Sequence, residues 1–485
     1  MPRPTVILTL LFASAVGAVG PASAVAQRTG TPLAPIRSAQ ATGPLRVDSA
    51  NPRYFMNPEG RAVYLTGSHT WASLQDIGPT DPPPRFDYDR YLRFLVEHNH
   101  NFVRLWTWEQ AKWTTEIKDP YWFDPVAFAR TGPGAALDGK PRFDLTRFDP
   151  RFFERLRHRV AEAGRRGIYV SIMLFDAWSL EDKDHVGGAN PWPGHPFNAA
   201  NNVNGLDGDP GRTGNGRLTE TLRYPAVVAV EENYVRHVID AVNDLDNVLY
   251  EITNEGDPES VAWQYHMVDF VKRYEAGKPK RHPVGFTAPW PEGDNDDELY
   301  ASPADWISAD GRAGREQLLS GKKVVLWDTD HLCAPCAPPG FAWTSFLDGL
   351  NPIQMDPYEV TDTGMGVPST YKFLDPDYEG LRRDLGYTLT YANRVHLDLM
   401  RPRPDLSSTG HCLAHPGPGA EYLTYLPEGD TVTVDLSGTS GRLRVEWFSP
   451  AQDRLAAAGG VPGGAPRRFH SPFPGASVLY LREQP

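Results

Sequence analysis

Apolar positions along the chain fall into two interleaved periods. Short apolar runs such as Asn101-Phe102-Val103-Arg104-Leu105-Trp106 and Lys323-Val324-Val325-Leu326-Trp327-Asp328 read as buried strands. Between such runs, apolar residues recur at helical spacing. Phe152, Phe153, Leu156, Val160 and Ala163 mark a helix from Pro150 to Arg166, with Gly167 as its stop. Taken in order, strands are predicted at 62–67, 101–106, 168–175, 247–255, 283–287, 305–308, 323–328 and 352–356, and helices at 88–98, 150–166, 227–245, 261–274 and 378–398. Eight strands separated by helical or long connecting segments predict an α/β chain folded as a (β/α)8 barrel. An open doubly wound sheet is the rival, but no Gly-rich phosphate loop follows the first strand.

The flanks have a different pattern. Leu45-Arg46-Val47 and Arg53-Tyr54-Phe55-Met56 suggest a small hairpin before the first barrel strand. Two connections, 107–145 and 176–224, are far longer than usual; both follow strands, and so wall the active face of a barrel. Residues 201–216 are Gly/Asn/Asp-rich, and disorder is the competing reading there. After Pro404, alternating runs at 421–426, 431–436, 443–448 and 476–481, split by Gly and Pro turns, predict a small β-sandwich. At the other end, Arg3 precedes an apolar run from Val6 to Val19 and then Ala22-Ser23-Ala24 and Ala24-Val25-Ala26, the pattern of a cleaved export signal. The predicted organisation is therefore a signal peptide over 1–26, a linker over 27–44, a catalytic barrel over 45–403 and a β-sandwich over 404–485. The expected location is outside the cytoplasm, secreted or periplasmic.

Composition narrows the partners. A formal charge of −13 over 485 residues argues against nucleic acid and anionic membranes. No stretch past the leader approaches the ~20 apolar residues of a membrane span. The 13 Trp, 20 Tyr and 21 Phe supply aromatic faces for stacking on sugars as well as for packing. Three cysteines, Cys333, Cys336 and Cys412, predict one disulfide, with Cys333 and Cys336 the nearest pair, and one free thiol. His411 and His415 flank Cys412, but a single such motif falls short of a zinc site, and no metal or other cofactor is expected. Asp207-Gly208-Asp209 lacks the closing acidic residue of a calcium loop.

The chemistry concentrates at two strand ends. Tyr250-Glu251-Ile252-Thr253-Asn254-Glu255 closes the fourth strand, and Trp327-Asp328-Thr329-Asp330-His331 closes the seventh. A barrel glycosidase needs one carboxylic acid to protonate the leaving oxygen and a second carboxylate across the sugar. Glu255 is the predicted acid/base. Asp328 is the preferred nucleophile because it ends its strand, with Asp330 as the alternative of the same parity. Asn254 is placed to hold a sugar hydroxyl, and Arg104 to stabilise the nucleophile as an anion. His69, His331 and Asp356 follow strands and are candidate sugar contacts. Trp71, Trp106, Trp108 and Trp178 are candidate platforms, and packing competes with that role for each.

With Asn99-His100-Asn101-Phe102-Val103-Arg104 ahead of it, the fourth-strand motif resembles that of the cellulase-like clan of retaining barrel glycosidases. The order of barrel then sandwich, with Leu443-Arg444-Val445-Glu446-Trp447-Phe448 in the tail, is similar to apiosidase-like hydrolases that carry a C-terminal domain of collagen-binding type. The resemblance implies hydrolysis of O-glycosyl bonds with a Glu acid/base and a Glu nucleophile on strand seven. This chain departs from it there, with Asp in place of Glu. That departure keeps open a non-catalytic glycan- or matrix-binding protein on a degenerate barrel. A collagen-directed peptidase finds no His-Glu-x-x-His or Gly-x-Ser-x-Gly to run on.

Overall fold

The structure, a computed structural model, describes residues 30–37, 40–114, 120–181, 183, 190–290, 296–311, 314–333, 337–358 and 378–484. The expected leader and the Cys333–Cys336 pairing fall outside these residues. Cys412 is a free, buried thiol.

Eight parallel strands form one sheet: Gly67–His69, Phe102–Leu105, Tyr169–Asp176, Val248–Asn254, Val284–Thr287, Trp306–Ser308, Val324–Asp328 and Asn351–Met355. Each pairs with its sequence neighbour from the second to the eighth, and the eighth pairs with the first. The remaining seam, between first and second strands, is closed by Asn101. Its N–H donates to the Thr66 carbonyl at 3.0 Å, its Oδ1 accepts from the Thr66 N–H at 2.9 Å, and its Nδ2 donates to the Tyr64 carbonyl at 2.8 Å.

Period-two alternation explains both the core and the site. Val103, Val170, Ile172, Val248, Tyr250, Ile252 and Val325 belong to the cluster that packs under the helices. The opposite register begins apolar, with Phe102, Tyr169, Leu249, Trp306, Val324 and Leu326 in a second cluster inside the barrel. Two residues further along the same register stand Arg104, Ser171, Glu251, Ser308 and Asp328, all buried. The barrel is thus plugged with hydrocarbon at one end and lined with charge at the other. Gly285 allows this plug: a Cβ there would lie 2.0 Å from the Trp306 ring.

Helices cover the sheet at Tyr88–Glu97, Pro150–Gly164, Pro225–Val242, Val261–Glu275 and Tyr378–Ala392. Asp87 and Asp149 cap the first two through their side chains, and Pro150 occupies the first turn of the second. The predicted first strand needs correction. Ala62–Val63 pairs antiparallel with Phe55–Met56, extending the N-terminal hairpin to three strands with Arg46–Val47. The barrel strand starts only at Gly67. The long connection after the second strand is also not a plain loop. It folds into strands at Lys112–Thr114, Pro120–Asp124, Phe128–Ala135 and Pro141–Phe148. Residues 201–216 are held rather than disordered: Asp209 alone accepts from the Thr213 N–H, the Thr213 hydroxyl and the Gly214 N–H.

C-terminal to the barrel lies an all-antiparallel region. A six-stranded sheet built on Glu421–Leu426, Arg442–Ser449 and Ser477–Glu483 is faced by a two-stranded sheet, Gly429–Asp435 with Pro466–Pro474. Tyr422, Val445, Trp447 and Leu481 pack against Val432, Val434 and Phe469 between the sheets. The opposite face of the large sheet, with Leu423, Tyr425, Phe448 and Val478, packs on Trp343, Phe346, Leu389 and Tyr391 of the barrel region. Among the described residues no helix is long and apolar enough to cross a membrane.

Candidate active site

One guanidinium organises the charged end of the barrel. Arg104, 2% exposed, grips Glu251 with two bonds, Nε to Oε2 at 3.0 Å and Nη2 to Oε1 at 2.5 Å. Its Nη1 donates to Asp328 Oδ2 at 2.8 Å and to Asp330 Oδ2 at 2.9 Å. Its Nη2 also reaches Asn254 Oδ1 at 2.8 Å. A planar fork of donors suits this arrangement, and a lysine would not span it.

Asp328 is enclosed. Its side chain has no exposed surface, and His69 Nε2 lies 2.9 Å from Oδ2. Trp106 Nε1 donates to His69 Nδ1 at 2.9 Å, so the ring's proton sits on Nε2 and points at Asp328. The backbone N–H of Asp330 donates to Asp328 Oδ1 at 3.0 Å. Burial by itself pushes the Asp328 carboxyl upward, but His69 and Arg104 outweigh it and hold the group well below the ordinary carboxylate range. Asp330 lies two residues on, in the first turn of a short helix, with its side chain 7% exposed. Glu255 Oε, Asp330 Oδ and a ring nitrogen of His331 all lie within 4.8 Å of one another. Their spacing would also let these three side chains share a metal ion.

Glu255 has a backbone φ of 47°, in the left-handed region that most side chains avoid. The next residue, Gly256, is walled in: a Cβ there would meet Gln264 and Ser260 atoms at 2.6 Å. Trp178 Nε1 donates to Glu255 Oε2. Burial, then the Asp330 charge, push the Glu255 carboxyl up to about 8, against the opposing pull of the Trp178 N–H, Lys183 and Arg104.

The other expected residues take definite places. Asn254 Oδ1 receives Arg104 and also His331 Nε2 at 3.2 Å, and its Nδ2 lies 3.4 Å from Asp176 Oδ1. An arginine only donates, so the amide must present its oxygen there; both ends are then occupied by protein. His331 Nδ1 lies 2.8 Å from the Ser308 hydroxyl, and burial lowers the ring's proton affinity. Asp356 is fully buried, and Arg382 grips it with two bonds, Nε to Oδ2 at 2.8 Å and Nη2 to Oδ1 at 2.6 Å. Trp71, Trp106 and Trp108 are 8%, 2% and 3% exposed and pack on one another with Trp113 and Phe123.

Four groups went unrecognised in the sequence. Asp176 ends the third strand and is fully buried, with Oδ2 lacking a partner, and burial pushes its carboxyl well up. Its place at a strand end was a usable signal. Glu220 accepts from the Thr253 hydroxyl at 2.6 Å, and Glu109 accepts from the Asp176 N–H at 3.2 Å. Lys183 donates to the Trp290 carbonyl at 2.8 Å. No local pattern marks these last three.

Known structures share this architecture. A glycoside hydrolase family 5 protein from Bacteroides vulgatus ATCC 8482 matches with a TM-score of 0.55 and 14% identity, over 91% of this chain and 94% of its own. A second, described as a glycoside hydrolase, gives 0.54 and 13% over 91% and 97%. The fold is that of glycoside hydrolase barrels. Residues 109–301, which carry the third to fifth barrel strands and the long loops, match the model of a domain of unknown function, DUF6298. No curated protein matches the chain in sequence.

Proposed function

We propose that this chain is an exported glycoside hydrolase that cleaves oligo- or polysaccharides with retention, using Glu255 as acid/base and Asp330 as nucleophile. The observation that carries the reading is the Glu255–Asp330 pair, with carboxyl oxygens within 4.8 Å at the charged mouth of the barrel. Retaining enzymes hold their two carboxyls about 5 Å apart, and inverting ones hold them farther apart to admit a water. Asp328, preferred on sequence, has no exposed surface and gives both oxygens to His69, Arg104 and the Asp330 N–H. Its role becomes that of an anchor for Arg104. Asp330 engages Arg104 through Oδ2, which leaves Oδ1 for the sugar.

In the first step Asp330 Oδ1 attacks the anomeric carbon while Glu255 transfers its proton to the departing glycosidic oxygen. Arg104 compensates the charge of the waiting carboxylate. In the second step the Glu255 carboxylate takes a proton from water, whose oxygen displaces Asp330 from the same carbon. Two inversions restore the starting configuration. A carboxyl held near 8 suits the first role, because it carries a proton at neutral pH. The non-catalytic reading rested on the missing strand-seven Glu, and Asp330 supplies a carboxylate in its stead.

The test is a screen of plant, algal and bacterial polysaccharides followed by azide rescue. Asp330→Ala should lose at least about 1,000-fold in kcat. Added azide should then restore turnover and give a glycosyl azide of inverted configuration. Rescue of Asp328→Ala instead would return the nucleophile to Asp328, and an inert wild type across the screen would end the hydrolase reading.

A further inference from the structure

Among the described residues, five large hydrophobic side chains are exposed: Ile36, Leu137, Leu222, Trp290 and Leu399. Trp290 is the one aromatic, 37% exposed, and it adjoins the site. Its N–H donates to the carbonyl of Gly256, the residue after Glu255, at 2.9 Å. Its own carbonyl accepts from Lys183 Nζ at 2.8 Å, and that lysine is itself 6% exposed. The backbone that presents this exposed indole is tied on both sides, and a fixed backbone lowers the entropy cost of ordering the ring when something binds.

Position assigns the occupant. Trp290 follows the fifth barrel strand, which pairs with the fourth on the side away from the first and second. The buried Trp71, Trp106 and Trp108 belong to the first and second strands and their loops, so they offer no face on this side. The general acid delivers its proton to the glycosidic oxygen, and the sugar beyond that oxygen leaves. Building on the hydrolase reading above, we propose that Trp290 is the stacking platform of the leaving-group subsite, held in place by Lys183. The preferred substrate is then one whose leaving group is a pyranose ring, an internal linkage of an oligo- or polysaccharide, rather than a glycoside of a small alcohol.

The experiment compares Glu255→Gln with Glu255→Gln/Trp290→Ala by isothermal titration with cellohexaose, mannohexaose and xylohexaose. At least one hexaose should bind the single variant, and Trp290→Ala should weaken that affinity about tenfold or more, while Trp290→Phe retains most of it. In parallel, the active Trp290→Ala enzyme should lose kcat/KM on the oligosaccharide while keeping it on the fluoride of the same glycone, which has no leaving sugar. Equal binding with and without Trp290, or equal losses on hexaose and fluoride, would overturn the platform alone. No binding of any hexaose by Glu255→Gln would count against both the platform and the carbohydrate reading, whereas binding without turnover by the wild type would count against hydrolysis only.

Discussion

Replacing Trp178 by Phe removes one N–H from the Glu255 carboxyl and little else, since the ring is retained. That donor favours the carboxylate over the acid, and so it holds the group down against burial and Asp330. A hydrogen bond to a charged acceptor contributes about 1.5–3 kcal/mol and one to a neutral acceptor about 0.5–1.5. The difference, about 1–1.5 kcal/mol, is close to one pKa unit at ~1.4 kcal/mol per unit. Glu255 should therefore rise from about 8 by roughly one unit. With a pKa of about 8, some nine-tenths of the wild-type carboxyl is already protonated at neutral pH, so activity there should change little. The alkaline limb of kcat/KM on an unactivated oligosaccharide should instead move upward by about one pH unit. The measurement is kcat/KM from pH 5 to 10 for both proteins. A limb that stays in place or moves down would refute the assignment of that limb to Glu255 and the role given to the indole.

Two further outcomes follow from the Arg382 pair at Asp356 and from the packing of the C-terminal sheet. Asp356→Asn should leave kcat/KM within about threefold while costing about 3 kcal/mol in urea denaturation, because it strands the Arg382 charge against a buried site; a large loss of activity at unchanged stability would restore Asp356 to the sugar site. Deletion from Pro404 onward should lower the melting temperature by more than about 10 °C or yield insoluble protein, because it bares Trp343, Phe346, Leu389 and Tyr391; a truncated chain as stable as the whole, but unable to bind polysaccharide, would make the tail a binding module.

Strands two to seven were legible because their outward registers are apolar, and the inward register announces itself where it turns polar at Arg104, Glu251 and Asp328. The first strand was hidden for the same reason. Gly67-Ser68-His69 carries no apolar signature, while in the apolar run before it Ala62–Val63 serves the N-terminal hairpin and Leu65 packs inside the barrel. The hairpin of Phe128–Ala135 and Pro141–Phe148 was unreadable because Gly132-Pro133-Gly134 breaks its alternation and much of the first strand is exposed. Parity placed Asp328 and Asp330 on one side but did not rank them. The proposed preference for Asp330 rests on a three-dimensional fact, that His69 and the Asp330 N–H close over Asp328. The pairing of Asp356 was hidden for a similar reason, since its partner Arg382 sits on a helix 26 residues away.

The backbone at Glu255 carries a cost that has a bearing on any attempt to engineer this protein. A non-glycine residue at a φ of 47° is held there at a cost of order 1 kcal/mol or more, and glycine or asparagine would sit there with less strain. Neither would bring a buried carboxyl that resists ionisation. Selection for heat resistance alone will therefore enrich variants at position 255 that are sturdier and, on the role proposed for Glu255, unable to deliver a proton. A stabilised lineage will keep its chemistry only if turnover is scored in every round.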